Sequence, residues 1–164
     1  MVNAVMPDRA VADEVGLLEL LNSAPIVDGV PTDELRGAGA TGWLREHGIP
    51  GTPGAARDVR DAISGVVRGQ QSEAGLQGFL ADVRQVPVVG ESGVEWKLEG
   101  ARFAARMVLA WAQVQGRLRP CENDAECTLF LIDRSKANAR RWCSMSTCGN
   151  RLKARRHQVR VRST

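Results

Sequence analysis

The chain has no tyrosine, only two histidines, and not one cysteine in its first 120 residues. It also lacks any run of 18 or more apolar residues, so no membrane-spanning helix is expected. The start, MVNAVMPDRAVADE, has no basic stretch followed by an apolar one. No secretory leader is therefore read, and the expected compartment is the cytoplasm. The motifs G-x-x-x-x-G-K-[ST], G-x-S-x-G and H-E-x-x-H are missing. His47 and His157 stand apart and make no catalytic set, and Asp58, Asp61, Glu73 and Asp82 are spaced as exposed helix faces. The expectation is a protein that binds and does not catalyse.

What is present is unevenly distributed. Residues 119–164 carry 11 Lys/Arg against 4 Asp/Glu, whereas the preceding 118 residues carry 11 against 15. From Arg134 onward there are 10 basic residues and no acidic one. An acidic body with a basic end points to a polyanion as the partner of that end; a solvated terminus without a partner is the alternative.

The first 116 residues read as mainly helical. DEVGLLELLN (13–22) gives a short amphipathic helix, stopped before Pro25, and residues 23–33 read as a loop with Thr32 or Asp33 capping the next segment. Thr41 is placed to cap a helix through Trp43, Leu44 and Arg45 that ends at Gly48. Residues 54–69 put Ala55, Val59, Ala62, Ile63, Val66 and Val67 on one helical face. Residues 74–84 give another short helix, and VPVVGESGVEWKL changes period to that of a β-hairpin. Residues 99–116, rich in alanine, give the strongest helix.

All four cysteines lie in one segment, as Cys121-x5-Cys127-x15-Cys143-x4-Cys148. In a cytoplasmic chain such a cluster reads as a metal site, with disulfides or redox thiols as the alternative. Four thiolates suit one tetrahedral Zn²⁺, and four protein ligands describe a closed, structural site. About 45 residues with few large apolar groups cannot sustain a core alone, so the metal would act as the staple. TLFLID is expected to be one strand, ARRWC its returning partner, and the segment after Cys148 a helix. The fold class is thus mainly α: a helical N-terminal domain with a small β-hairpin over residues 1–116, and a zinc module of knuckle, β-hairpin and helix over residues 117–164.

The segment RRWCSMSTCGNRLKARR (140–156) resembles the signature of the CGNR zinc-finger family, through Cys148-Gly149-Asn150-Arg151. Cys121, Cys127, Leu129-Phe130 and Asp133-Arg134-Ser135 sit where that family places its first cysteine pair, strand and turn. The resemblance implies that the four cysteines are the zinc ligands. Leu20-Leu21-Asn22-Ser23 is similar to the D-F-V-N-T-like motif opening the ABATE domain often fused to this finger, with Glu19 for the usual Asp and Ser23 for the usual Thr. Trp43-Leu44-Arg45 and Gly48 fit that domain's next helix. The resemblance implies a bacterial transcription regulator that binds DNA, with RNA also suggested for such proteins.

Arg140, Arg141, Asn150, Arg151, Lys153, Arg155 and Arg156 are the candidate nucleic-acid contacts. Three of them also have a structural reading: Arg141 and Arg151 as partners of Asp133 or of loop carbonyls, and Asn150 as a cap or a left-handed residue. Trp142 reads as core more readily than as a stacking platform. In the N-terminal half, Trp43, Trp96, Phe103, Arg106 and Trp111 either line an effector pocket or form the core, and Asn22 and Arg106 are its candidate polar groups. Besides DNA or RNA, an acidic protein partner, a small-molecule effector and a homodimer are the partners expected, and no membrane.

Overall fold

Leucine spacing builds the first element. Helix α1 (Pro7–Leu21) buries Leu17, Leu20 and Leu21, and begins earlier than the apolar periodicity alone predicts. Ser23 closes its end by donating its hydroxyl to the Leu20 carbonyl at 2.8 Å. The computed structural model describes the backbone of residues 7–91 and 93–162. The expected loop over 23–33 contains a small antiparallel hairpin, β1 (Ile26–Val27) and β2 (Val30–Pro31). Asp28 and Gly29 form its two-residue turn with φ of 51° and 79°, the left-handed pair that such tight turns require.

Helix α2 (Ala40–Glu46) starts at Gly39 with no side-chain cap, so Thr41 lies inside it and does not cap it. The chain leaves it through His47 and Gly48, whose φ is 63°. Helix α3 (Pro53–Val67) is better defined locally: the Thr52 hydroxyl accepts the Ala55 N–H, proline occupies the first turn, and Ala56, Val59 and Ile63 face inward. Arg60 is buried on the same helix. Its guanidinium is held bidentately by Asp33 at 2.7 and 3.0 Å and also touches Ser23 and Asp61, which pins the 23–39 connection onto α3. Hydrogen bonding from Arg60 outweighs burial and holds the Asp33 carboxyl below its ordinary value.

The short helix expected over 74–84 is present as a 3₁₀ helix over Glu73–Leu80; Gly75 and Gly78 weaken α propensity. The predicted hairpin is present as β3 (Arg84–Gly90) and β4 (Gly93–Glu99), paired in register from Arg84↔Glu99 to Gly90↔Gly93. It projects as an arm, with every residue of β4 exposed. Trp96 therefore joins no core: it stands 58% exposed. At the arm's base Gly100 adopts φ +73°, and a β-carbon there would meet the Asp82 carbonyl oxygen at 2.0 Å. That turn delays helix α4 to Phe103–Val114, inside the predicted 99–116.

After α4 comes β5 (Leu118–Pro120), which pairs antiparallel with β6 (Phe130–Ile132). The predicted return strand ARRWC is not one: residues Ala139–Cys143 form no strand, and three residues upstream of Cys121 supply the partner. A π-helical turn (Met145–Gly149) leads into α5 (Asn150–Arg162). Leu118, Phe130 and Ile132 join the α1, α3 and α4 side chains in one hydrophobic core, so the strands of the cysteine segment are seated on the helical body. The architecture is mainly α with small hairpins and a C-terminal cysteine module. Among the described residues no helix is long and apolar enough to cross a membrane.

Candidate metal centre and basic helix

Two connections bring the sulfurs together, one between β5 and β6 and one between β6 and α5. Cys121 follows β5 and donates its N–H to the Leu129 carbonyl at 2.8 Å, which closes the loop carrying Cys127. The Glu122 N–H, bonded to the Arg141 carbonyl at 3.0 Å, ties that loop to the segment bearing Cys143. Cys148 sits in the π-helical turn, where the Ser144 hydroxyl accepts the Thr147 N–H. Gly149 lets Met145 pack closely: a β-carbon there would lie 3.0 Å from the Met145 sulfur. The four Sγ atoms lie within 4.8 Å of one another, with Cys127 to Cys143 at 3.7 Å and Cys143 to Cys148 at 3.6 Å. Ligands about 2.3 Å from a tetrahedral zinc stand about 3.8 Å apart, so the spacing fits. All four thiols are free.

The donor chemistry also fits. Burial pushes the Cys127 thiol up to about 11 and Cys143 up as well. At Cys121 burial acts the same way, but hydrogen bonds from the backbone of Cys143 and Asn123 outweigh it and hold that thiol below its usual value. Four crowded, largely buried sulfurs do not ionise together without a cation. A divalent ion bound by all four resolves the conflict. Leu129 and Trp142 pack against the cluster, so Trp142 serves as its wall.

A second anchor is Asp133, fully buried at the end of β6. Its carboxylate accepts the Ser135 N–H at 2.8 Å and the Arg140 N–H at 2.7 Å. Hydrogen bonding to Ser135, aided by Arg140, drops its pKa to about 2. The predicted side-chain partnership with Arg141 or Arg151 does not form; the backbone of Arg140 takes that place.

The predicted nucleic-acid residues divide into two groups. Arg140 bonds to the Trp142 carbonyl at 3.0 Å and to that of Cys143, and Arg141 pairs with Glu122 at 2.6 Å and lies over Trp142. Both brace the second cysteine pair. Asn150 has φ −70°, not a left-handed value, and donates to the Ser146 carbonyl at 3.2 Å. Arg151, Lys153 and Arg155 are exposed on α5, with Arg155 3.7 Å from Glu126. Leu152 faces inward and seats the helix. Arg156 belongs to α5, but its side chain, like that of His157, lies outside the described residues.

The candidate effector residues are spread out. Trp43 stacks on His47 with ring centroids 3.9 Å apart, Arg106 pairs with Asp13, and Trp111 is in the core. Asn22 borders a groove of about 580 Å³ between α1 and the cysteine module, lined also by Leu18, Leu129, Leu131 and Arg134; Trp43, Arg106 and Trp111 do not line it. The Asn22 carboxamide accepts the Phe130 N–H at 2.7 Å and donates to the Phe130 carbonyl at 3.3 Å. Thr128 donates to the Ala24 carbonyl, Arg68 to the Thr128 carbonyl, and Arg134 pairs with Glu14. These clamps between body and module span 60 to 120 positions, and no local sequence pattern announces them.

Four converging cysteines on a small hairpin and a helix define a structural zinc module docked on a helical body. Residues 117–161 match the family model described as CGNR zinc finger. Its four cysteines form the site of one structural zinc. Comparison of the whole chain with curated proteins finds no match.

Proposed function

We propose that the protein is a bacterial transcription regulator that works in the cytoplasm by binding DNA, not by catalysis. The zinc module is its DNA-binding part, and residues 1–116 form an ABATE-type domain that receives an effector or a second subunit. The observation that carries this reading is α5: thirteen residues of which six are Lys or Arg and none is acidic, begun two residues after a zinc ligand and seated by Leu152. A helix of that length is about 20 Å long and narrow enough to enter the major groove. Zinc holds the start of the helix; Arg151, Lys153 and Arg155 supply phosphate contacts.

The test is salt-dependent binding of zinc-loaded protein to duplex DNA. About three phosphate contacts give a log–log slope near −2.7, a loss of about fortyfold in affinity between 50 and 200 mM salt. Arg151→Ala with Arg155→Ala reduces both affinity and slope. Absence of binding at 50 mM salt refutes the reading, and preference for structured RNA in competition redirects it. One observation favours a second reading, an acidic protein partner: Glu122 and Glu126 already pair with Arg141 and Arg155. In that case the double variant loses the partner and keeps its affinity for DNA.

A further inference from the structure

The β3–β4 arm is a two-stranded sheet with no third strand among the described residues. Isolated hairpins are marginal in water, and open edges invite pairing. The two edges of this arm are not equivalent. The Gly90↔Gly93 pair, two residues apart around the turn, is a hydrogen-bonded one, so bonded pairs alternate down the ladder through Val88↔Glu95, Val86↔Lys97 and Arg84↔Glu99. The intervening residues turn their backbone groups outward. On β3 that outward position includes Pro87, which has no N–H to offer, so this edge is blunted. On β4 it comprises Val94, Trp96 and Leu98, all with open N–H and C=O groups.

The side chains of β4 add a second asymmetry. Val94, Trp96 and Leu98 share one face with Pro87 and Val89, and all five are exposed. Glu95, Lys97 and Glu99 share the other face and are exposed as well. A second copy meeting this edge antiparallel about a two-fold axis has three central registers. Centred on residue 95, Glu95 opposes Glu95. Centred on residue 97, Lys97 opposes Lys97. Centred on Trp96, each Glu95 opposes a Lys97, Val94 opposes Leu98, and the outward backbone groups of 94, 96 and 98 meet as hydrogen-bonded pairs. Backbone direction permits all three registers, because outward residues meet outward residues in each; opposite charges face one another only in the register centred on Trp96.

The geometry points to β4 as the subunit interface: two copies of the chain join edge to edge through residues 93–99, centred on Trp96, into a four-stranded β3-β4-β4-β3 sheet. The proposal is independent of what the zinc module binds. It places two basic helices in one particle, and it assigns Trp96 an intermolecular role.

Sedimentation equilibrium of the zinc-loaded full chain tests it. The wild type is a dimer. Lys97→Glu sets a second carboxylate against Glu95 at both symmetry-related contacts and weakens the dimer about tenfold or more, and Glu95→Lys does the same with two lysines. The double variant Glu95→Lys with Lys97→Glu restores opposite charges and returns the dimer to near wild-type affinity. Trp96→Pro, which removes a central donor on an exposed position, yields monomer. Circular dichroism confirms that the helical body of each variant is intact. A monomeric wild type, a dimer indifferent to these changes, or a double variant no better than the singles overturns the proposal.

Discussion

Removing the Asn22 carboxamide tests how the zinc module is held. In the β5–β6 pair, hydrogen bonds from Cys121 to Leu129 and from Asp133 to Arg117 mark the inward-bonding residues, so Phe130 turns its N–H and carbonyl away from β5. The Asn22 side chain meets both at 2.7 and 3.3 Å, as a neighbouring strand would. Phe130 is 3% exposed, so Asn22→Ala leaves a buried N–H without an acceptor. That orphan costs about 1–3 kcal/mol, and loss of the longer bond adds about 0.5 kcal/mol, so about 2 kcal/mol is expected in total. For a chain of this size the shift is about 4–8 °C in Tm. Thermal melting of zinc-loaded protein reads the stability, and hydrogen exchange at the Phe130 amide reads the location. Asn22→Asp keeps the acceptor, loses the donor, and falls between the two. A Tm change under about 1 °C with unchanged Phe130 exchange refutes the clamp.

Chelation of the metal removes the staple of the cysteine module: helical signal from α5 falls and Trp142 becomes exposed, while Trp111 stays in the core; unchanged spectra after metal loss contradict this. Arg60→Ala leaves the Asp33 carboxylate without its bidentate partner in a mostly buried site, and urea denaturation should register a loss of about 3–5 kcal/mol. Gly100→Ala forces a side chain onto the Asp82 carbonyl at a positive φ and lowers stability by about 1–3 kcal/mol; an unchanged melt contradicts the described turn. The depressed pKa of Asp133 stabilises the fold fully above the ordinary carboxylate range, and this contribution is lost as pH falls towards about 2. The stability difference between wild type and Asp133→Asn should therefore shrink below pH 4, and a constant difference contradicts the assignment.

The sequence announces features whose cause is local. Helix α3 is legible because its cap, proline and apolar period lie within fifteen residues, and the cysteine cluster is legible because four sulfurs in 28 residues have few other uses. The partner of β6 is not: Leu118-Arg119-Pro120 is three residues long and ends in proline, so it carries no strand signal, and the register depends on the body beneath it. Trp96 misleads because a tryptophan in an alternating run looks the same whether its face meets a core or water. Asn22 has its partners 108 positions away, and its role exists only once α1 and β6 are packed. The short turn Asp28-Gly29 is readable in principle, since that pair favours tight hairpins, but the strands it joins are two residues each.

X-ray absorption at the zinc edge, with metal content measured on the same protein, tests the central claim most directly. One zinc per chain, bound by four sulfurs at about 2.3 Å with no nitrogen or oxygen ligand, is the predicted result. A chain without zinc and with paired cysteines, or a site with fewer than four sulfur ligands, contradicts it.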